Sequence, residues 1–171
     1  GFIVSPERAR QLGLGTVPGL DQHILPYRNG RDLAARPRDV LVIDLYPLPI
    51  AEVQARFPAV YQHVAEAVKP ERDAKIGSSK DMQAYADQWW LFGKVRSELR
   101  PVLAPLPRYI ATIETAKHRF FQFLDAGIRP DNMLVNIGIE RADALGVFSS
   151  RLHVIWMLST GGTLEDRPRY N

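Results

Sequence analysis

The sequence contains no cysteine, which excludes a disulfide framework, a thiolate metal site and a cysteine nucleophile. No apolar run approaches the roughly 18 to 20 residues that a membrane span needs. Gly1-Phe2-Ile3-Val4-Ser5-Pro6 has neither the basic start nor the apolar core of a secretory signal. There is no initiator methionine, and the sequence stops at Arg169-Tyr170-Asn171. Both ends therefore read as cut, and a piece of a longer cytoplasmic protein is expected. The histidines, at 23, 63, 118 and 153, show no i, i+4 pair and no HExxH-type motif, so no metal site is expected. A G-x-S-x-G elbow is missing too, which removes the sequence support for a serine hydrolase. Gly13-Leu14-Gly15-Thr16-Val17-Pro18-Gly19 lacks the Lys-Ser/Thr ending of a phosphate-binding loop. Glu114-Thr115-Ala116-Lys117 has one residue too many for the acidic-x-Lys pattern of restriction nucleases. No catalytic residue is assigned to this chain, and no cofactor.

What is present is the composition of a folded domain. Of 171 residues, 46% are hydrophobic and 24% charged, which suits one domain or one domain with an appendage rather than a disordered chain. The net charge is only +3, yet residues 94–119 alone carry six Lys and Arg against two Glu. That local surplus suits a polyanion such as DNA, or else a solvated basic face with no partner.

The pattern along the chain predicts an α+β (mixed α/β) fold, a largely antiparallel central sheet with helices packed around it. Ser5-Pro6-Glu7 opens a short helix with Ser5 as N-cap. Residues 39–46 read as a buried strand, ended by Pro47 and Pro49. Residues 50–57 and 58–74 read as helices split by Pro58, and 75–88 as a polar loop. A short helix over 97–103 precedes strands at 107–115, 118–124 and 132–139, whose short connections favour an antiparallel meander. Residues 143–159 read as one helix ended by Gly161-Gly162.

Four segments invite a functional reading beside a plain one. In Tyr27-Arg28-Asn29-Gly30-Arg31-Asp32-Leu33, Asn-Gly allows a positive-φ turn whose arginines could hold a phosphate. The plain reading pairs Arg31 with Asp32 or Asp44. Gln88-Trp89-Trp90-Leu91-Phe92-Gly93 could stack on bases, but burial against the sheet is favoured for both tryptophans. Thr112 to Phe120 joins two strands and offers Glu, Lys and Arg to base edges, or is a mixed-charge hairpin. Ser149-Ser150-Arg151 stands at a helix start, where it could bind a phosphate or simply cap the helix.

Taken in order, these segments carry a resemblance. The series runs Tyr27–Leu33, Val42-Ile43-Asp44, Phe57–Val64 and Val68-Lys69-Pro70-Glu71-Arg72. It continues with Trp89–Gly93, Arg108–Thr112, Lys117-His118-Arg119-Phe120 and Leu145–His153. Over about residues 20–171 the sequence resembles the target-recognition region of class I DNA methyltransferases of the MmeI type. The resemblance implies a domain layout, with 1–19 as a linker and helix leading in from a catalytic domain and 20–171 as the recognition domain. It implies a parent enzyme that uses S-adenosylmethionine to methylate adenine N6 within a short duplex DNA sequence, in restriction–modification or phage defence, in some relatives with a nuclease on the same polypeptide. The catalytic Asn-Pro-Pro-Tyr-type motif of such enzymes lies before the recognition region and is absent here. The chain would then choose the site without holding the cofactor, partnered by double-stranded DNA and the catalytic domain and not by a membrane. In relatives, sequence choice resides at the strand–hairpin matching Thr112–Arg119. That implies Glu114, Lys117 and His118 as base readers, with Arg28, Asn29, Arg31, Arg96, Arg108, Arg119 and Arg151 on the DNA backbone. The rival readings are a protein-interaction scaffold, a single-stranded RNA module and, least of all, a nuclease fragment.

Overall fold

The structure is a computed structural model that describes residues 1–170. They form two compact units, one of residues 1–26 with 39–96, the other of residues 27–38 with those from 97 onward. The fold is α+β in both, with mostly antiparallel strands. The strands are shared out between the units instead of forming one central sheet.

In the first unit, Leu41–Ile43 is the middle strand. It pairs antiparallel with Ile3–Val4 on one edge and with Ile24, Leu25 and Pro26 on the other. The expected strand over 39–46 is thus only three residues long. Ser5 caps the helix Pro6–Gln11 by accepting from the Arg8 amide at 3.1 Å. Within this unit Val4, Ala9 and Leu12 are buried with Leu20, Ile24 and Ile43. Against them lie the helices Ile50–Arg56 and Pro58–Ala67, separated at Phe57 because Pro58 opens a new first turn. Val53, Phe57, Val60 and Val64 are fully covered, and each such side chain contributes about 1.5–3 kcal/mol through the water it sheds.

Trp89 is buried in the same core, edge-on to Tyr61 at 5.7 Å, and the Trp90 indole donates to the Leu48 carbonyl at 2.9 Å. The helix Lys69–Asp73 follows a break at Val68. Residues 75–88 are not all loop, since Lys80–Asp87 is helical. Its polarity reflects exposure: of Asp81–Asp87, only Ala86 is buried.

In the second unit, Arg108–Ile113 is the middle strand, with Gln122–Asp125 antiparallel on one side and Leu134–Ile137 antiparallel on the other. This is not the expected meander. The segment between the outer strands is long enough to pass to the far edge, and on the way Arg129–Pro130 pairs parallel with Tyr27–Arg28. Tyr109 to Thr112 are consecutively buried, so this middle strand is covered on both faces. Its core partners are Leu33, Leu103, Leu124 and Leu134. The Tyr109 hydroxyl donates to the Ile128 carbonyl at 3.1 Å, and burial raises its pKa. The helix before this strand is Leu99–Leu103.

Two further expectations change here. The strand expected over 118–124 pairs only from Gln122. The helix expected over 143–159 is two, Ala142–Phe148 and Arg151–Thr160. They part at Ser150, whose backbone is extended and whose hydroxyl caps the His153 amide. The second helix exposes Leu152 (81%) and Trp156 (61%). It leads into a small hairpin, Thr163–Leu164 with Arg167–Pro168.

Candidate nucleic-acid interface

The connection between Arg108–Ile113 and Gln122–Asp125 is held by its own polar groups. The Thr112 hydroxyl, at the buried end of the strand, donates to the Phe120 carbonyl at 2.7 Å. This folds residues 113–119 into a closed excursion. The Arg119 guanidinium points back into it. It donates to Thr112 Oγ1 at 3.1 Å, to the Glu114 carbonyl at 3.2 Å, to the Pro168 carbonyl at 3.1 Å and to the Ile113 carbonyl. Its plane lies over the Tyr170 ring, 5.3 Å from the centroid. Burial pushes the Arg119 pKa down and the Tyr170 pKa up.

The far end of the chain completes the arrangement. Thr115 and Arg169 are antiparallel partners. The Tyr170 amide donates to the Glu114 carbonyl at 2.8 Å and the Ala116 amide to the Pro168 carbonyl at 3.3 Å. Arg169 then closes on the Glu114 carboxylate, Nε and Nη2 at 2.7 and 2.6 Å from Oε1. The Glu114 side chain is 20% exposed.

Of the expected base readers, Lys117 and His118 are therefore exposed at the tip of the excursion. Glu114 faces Arg169 within the protein. Arg119, expected on the DNA backbone, has its terminal nitrogens directed at protein acceptors, since a carbonyl oxygen has two lone pairs and those of Glu114 and Pro168 accept from it beside their backbone donors.

The second expected cluster has a different structure from the one its Asn-Gly suggested. Asn29 is not in a positive-φ turn. Its backbone is extended and its Oδ1 accepts from the Arg31 and Asp32 amides at 3.0 and 3.1 Å, while Asp32 accepts from the Asn29 amide at 3.0 Å. This capping box starts the helix Gly30–Ala34. Gly30 sits against Ile113, which an added Cβ would approach to 3.2 Å. The Asp32 carboxylate is fully covered and pairs with Arg38, not Arg31, through two bonds of 2.8 Å. The Arg38 guanidinium beside it, with help from backbone amides, holds the Asp32 carboxyl well below the usual range despite burial. Arg31 is left exposed on the first turn.

Arg28 is half-buried and donates to the Tyr27 carbonyl at 3.0 Å. The Tyr27 hydroxyl in turn donates to Asp131 at 2.5 Å, and burial together with that carboxylate raises its pKa. Arg108 is exposed, lies 3.9 Å over the Phe123 ring and donates to the Glu140 carbonyl at 3.1 Å. Arg151 is exposed at the start of its helix. Arg96 is exposed too, at a positive φ of 52°, but belongs to the first unit. The second unit thus brings together Glu114, Lys117, His118 and Arg119, and it also carries Arg28, Asn29, Arg31, Arg108 and Arg151. Among the described residues no three His, Asp or Glu gather closely enough to hold a metal ion. Among them, too, no helix is long and apolar enough to cross a membrane.

The sequence reading missed Arg169, Tyr170 and Asp131. No local spacing signals them, since Glu114 and Arg169 stand 55 positions apart and Tyr27 and Asp131 stand 104 apart.

No protein-family model matches the chain, and no curated protein matches it. Among solved structures, its fold is similar to part of the type IIL restriction–modification enzyme MmeI in complex with DNA. The TM-score is 0.74 at 21% identity, over 99% of this chain. The chain spans 22% of the length of that enzyme. The likeness is one of fold, and it runs through both units.

Proposed function

We propose that this chain is a double-stranded DNA recognition domain of an S-adenosylmethionine-dependent adenine-N6 methyltransferase of the restriction–modification class. The observation that carries this reading is the likeness of nearly the whole chain to a portion of an enzyme solved on DNA. It is supported by a strand-end excursion that exposes Lys117 and His118. Arginines of the second unit supply phosphate contacts that set register: Arg28, Arg31, Arg108 and Arg151. Lys117 and His118 read base edges, where a Lys ammonium donates to guanine O6 and N7. Adenine N6 is out of reach inside a stacked duplex, so the neighbouring catalytic domain must extrude the base. That domain holds the cofactor, which supplies the methyl group. The chain itself selects and clamps.

The test is to express the open reading frame that contains this chain in a host without DNA methylation and to map modified bases. N6-methyladenine at one recurring sequence is expected. No modified base from soluble protein, together with binding to single-stranded RNA in preference to duplex DNA, would overturn the reading in favour of an RNA module. No salt-dependent binding to either would favour a scaffold. Within the reading, Lys117→Ala or His118→Ala should relax one position of the recognised sequence by roughly 5- to 100-fold, the range of one base contact. Arg31→Ala should weaken binding about equally on all sequences. Selection from a random duplex library separates the two outcomes.

A further inference from the structure

Lys117 and His118 sit on a segment that makes no strand ladder of its own with either neighbour in sequence. Besides its own side-chain bonds and the Glu114 amide's bond to the Met133 carbonyl at 2.9 Å, that segment is held by residues 168–170. Residues 114–116 lie antiparallel to 168–170, joined by the Tyr170–Glu114 and Ala116–Pro168 backbone bonds. Two arginines lock the join from opposite strands. Arg119, from the excursion, reaches the Pro168 carbonyl and stacks over Tyr170. Arg169, from the chain end, reaches the Glu114 carboxylate. A flat guanidinium with five donors can bond several carbonyls at once, which an ammonium cannot do with the same geometry.

Arg119 is half-buried, and its Nε is covered without a partner. A group that costs this much to bury is not held there as a surface charge.

We infer that Glu114, Arg119 and Arg169 are positioning residues, forming a clasp that fixes the conformation from which Lys117 and His118 present themselves. The inference rests on the DNA-recognition reading for its consequence, but the clasp itself is a property of the free protein. A reader side chain discriminates only if its backbone is held to a fraction of an ångström before contact. Without the clasp, the same lysine would still attract phosphate yet would sample several base edges. Loss of the clasp should therefore lower sequence preference far more than total affinity.

The experiment uses the intact chain and the variants Arg169→Ala, Arg119→Lys and Glu114→Arg/Arg169→Glu. Hydrogen exchange at Ala116 and Tyr170 reads the clasp without DNA. Selection from a random duplex library reads base preference, and affinity for unrelated duplex is measured beside it. Arg169→Ala and Arg119→Lys are expected to speed exchange at Ala116 and Tyr170 while Tyr109, Ile110 and Ala111 stay protected, which shows that the strand remains folded. Preference at one or two positions should fall about tenfold, the weight of one base contact. Affinity for unrelated duplex should change less than about twofold, because the phosphate contacts persist. The reversed pair Glu114→Arg/Arg169→Glu should restore both readouts. Unchanged exchange at Ala116 and Tyr170 would overturn the clasp whatever the DNA result. Faster exchange with an undiminished base preference would overturn its role in positioning. If the wild-type chain selects no sequence, the DNA reading fails, and with it the role in positioning, while the exchange data still decide whether the clasp exists.

Discussion

At the scale of single residues, Asp32 shows how one side chain can serve two purposes. It closes the capping box of Gly30–Ala34, receives Arg38, and does both with its carboxylate out of water. Its pKa is lowered chiefly by Arg38. A group whose folded pKa is depressed stabilises the fold above its unfolded value, about 3.9 for Asp, and that stability fades as pH falls toward the folded value. Asp32→Asn should therefore lower stability at pH 7 by about 3 kcal/mol, the lower end for breaking a buried pair, since Arg38 can turn to water. It should also flatten the loss of stability between about pH 5 and pH 2 that the parent shows. Urea unfolding followed across that range checks both parts. An unchanged slope on the acid side would show that other carboxylates govern it. The cap is legible in the sequence as Asn29 with Asp32 three residues on, but Asn-Gly equally allows a positive-φ turn. Which cation Asp32 would choose depended on how 35–38 returns, and that is set by packing.

At the scale of elements, the first unit offers a controlled comparison in the loop after Pro6–Gln11. Gly13 and Gly15 both have positive φ, 105° and 87°. An added Cβ at Gly13 would lie 2.5 Å from Val17 Cγ2, whereas at Gly15 nothing lies within 4 Å. Gly15→Ala should cost about 1 kcal/mol, the strain of the left-handed backbone alone. Gly13→Ala adds overpacking and should cost about 1–3 kcal/mol more. Thermal unfolding of the two variants side by side tests the difference, and equal losses would show that Val17 gives way. Loop, cap and helix here were legible because each depends on neighbours in sequence. Helix starts at Ser5 and Pro58 were legible for the same reason, whereas the burial of Trp89 follows from its apolar bulk. The strand order around Arg108–Ile113 was not. Three β-rich segments in a row carry no mark of which one becomes the middle, and the parallel pairing of Tyr27–Arg28 with Arg129–Pro130 joins positions 102 apart (129 − 27), beyond any local pattern. Likewise Lys80–Asp87 looks like loop by composition, since its helical stripe is short and mostly exposed.

At the scale of the whole molecule, net charge is a poor guide to the proposed partner, because +3 over 171 residues is unremarkable. What counts is how many cations meet phosphates at once. The six bases of 94–119 explain the local surplus, but the structure divides them. Arg119 is turned inward, Arg96 and Lys94 belong to the first unit, and Lys117 is exposed at the tip of the excursion. A contact set built on Arg28, Arg31, Arg108 and Arg151 predicts about four neutralised phosphates. The logarithm of duplex affinity should then fall against the logarithm of salt concentration with a slope near −3.6, at about 0.9 per phosphate. Arg31→Ala or Arg151→Ala should each reduce that slope by about one, on any sequence. Arg119→Gln, which removes the charge, should leave it within about 0.3, because the guanidinium faces protein carbonyls. Titrations at several salt concentrations on one unrelated duplex measure all four values. A slope that drops by one for Arg119→Gln would place its side chain on DNA after all, and residues 168–170 would then be a neighbour of the contact surface without being its support.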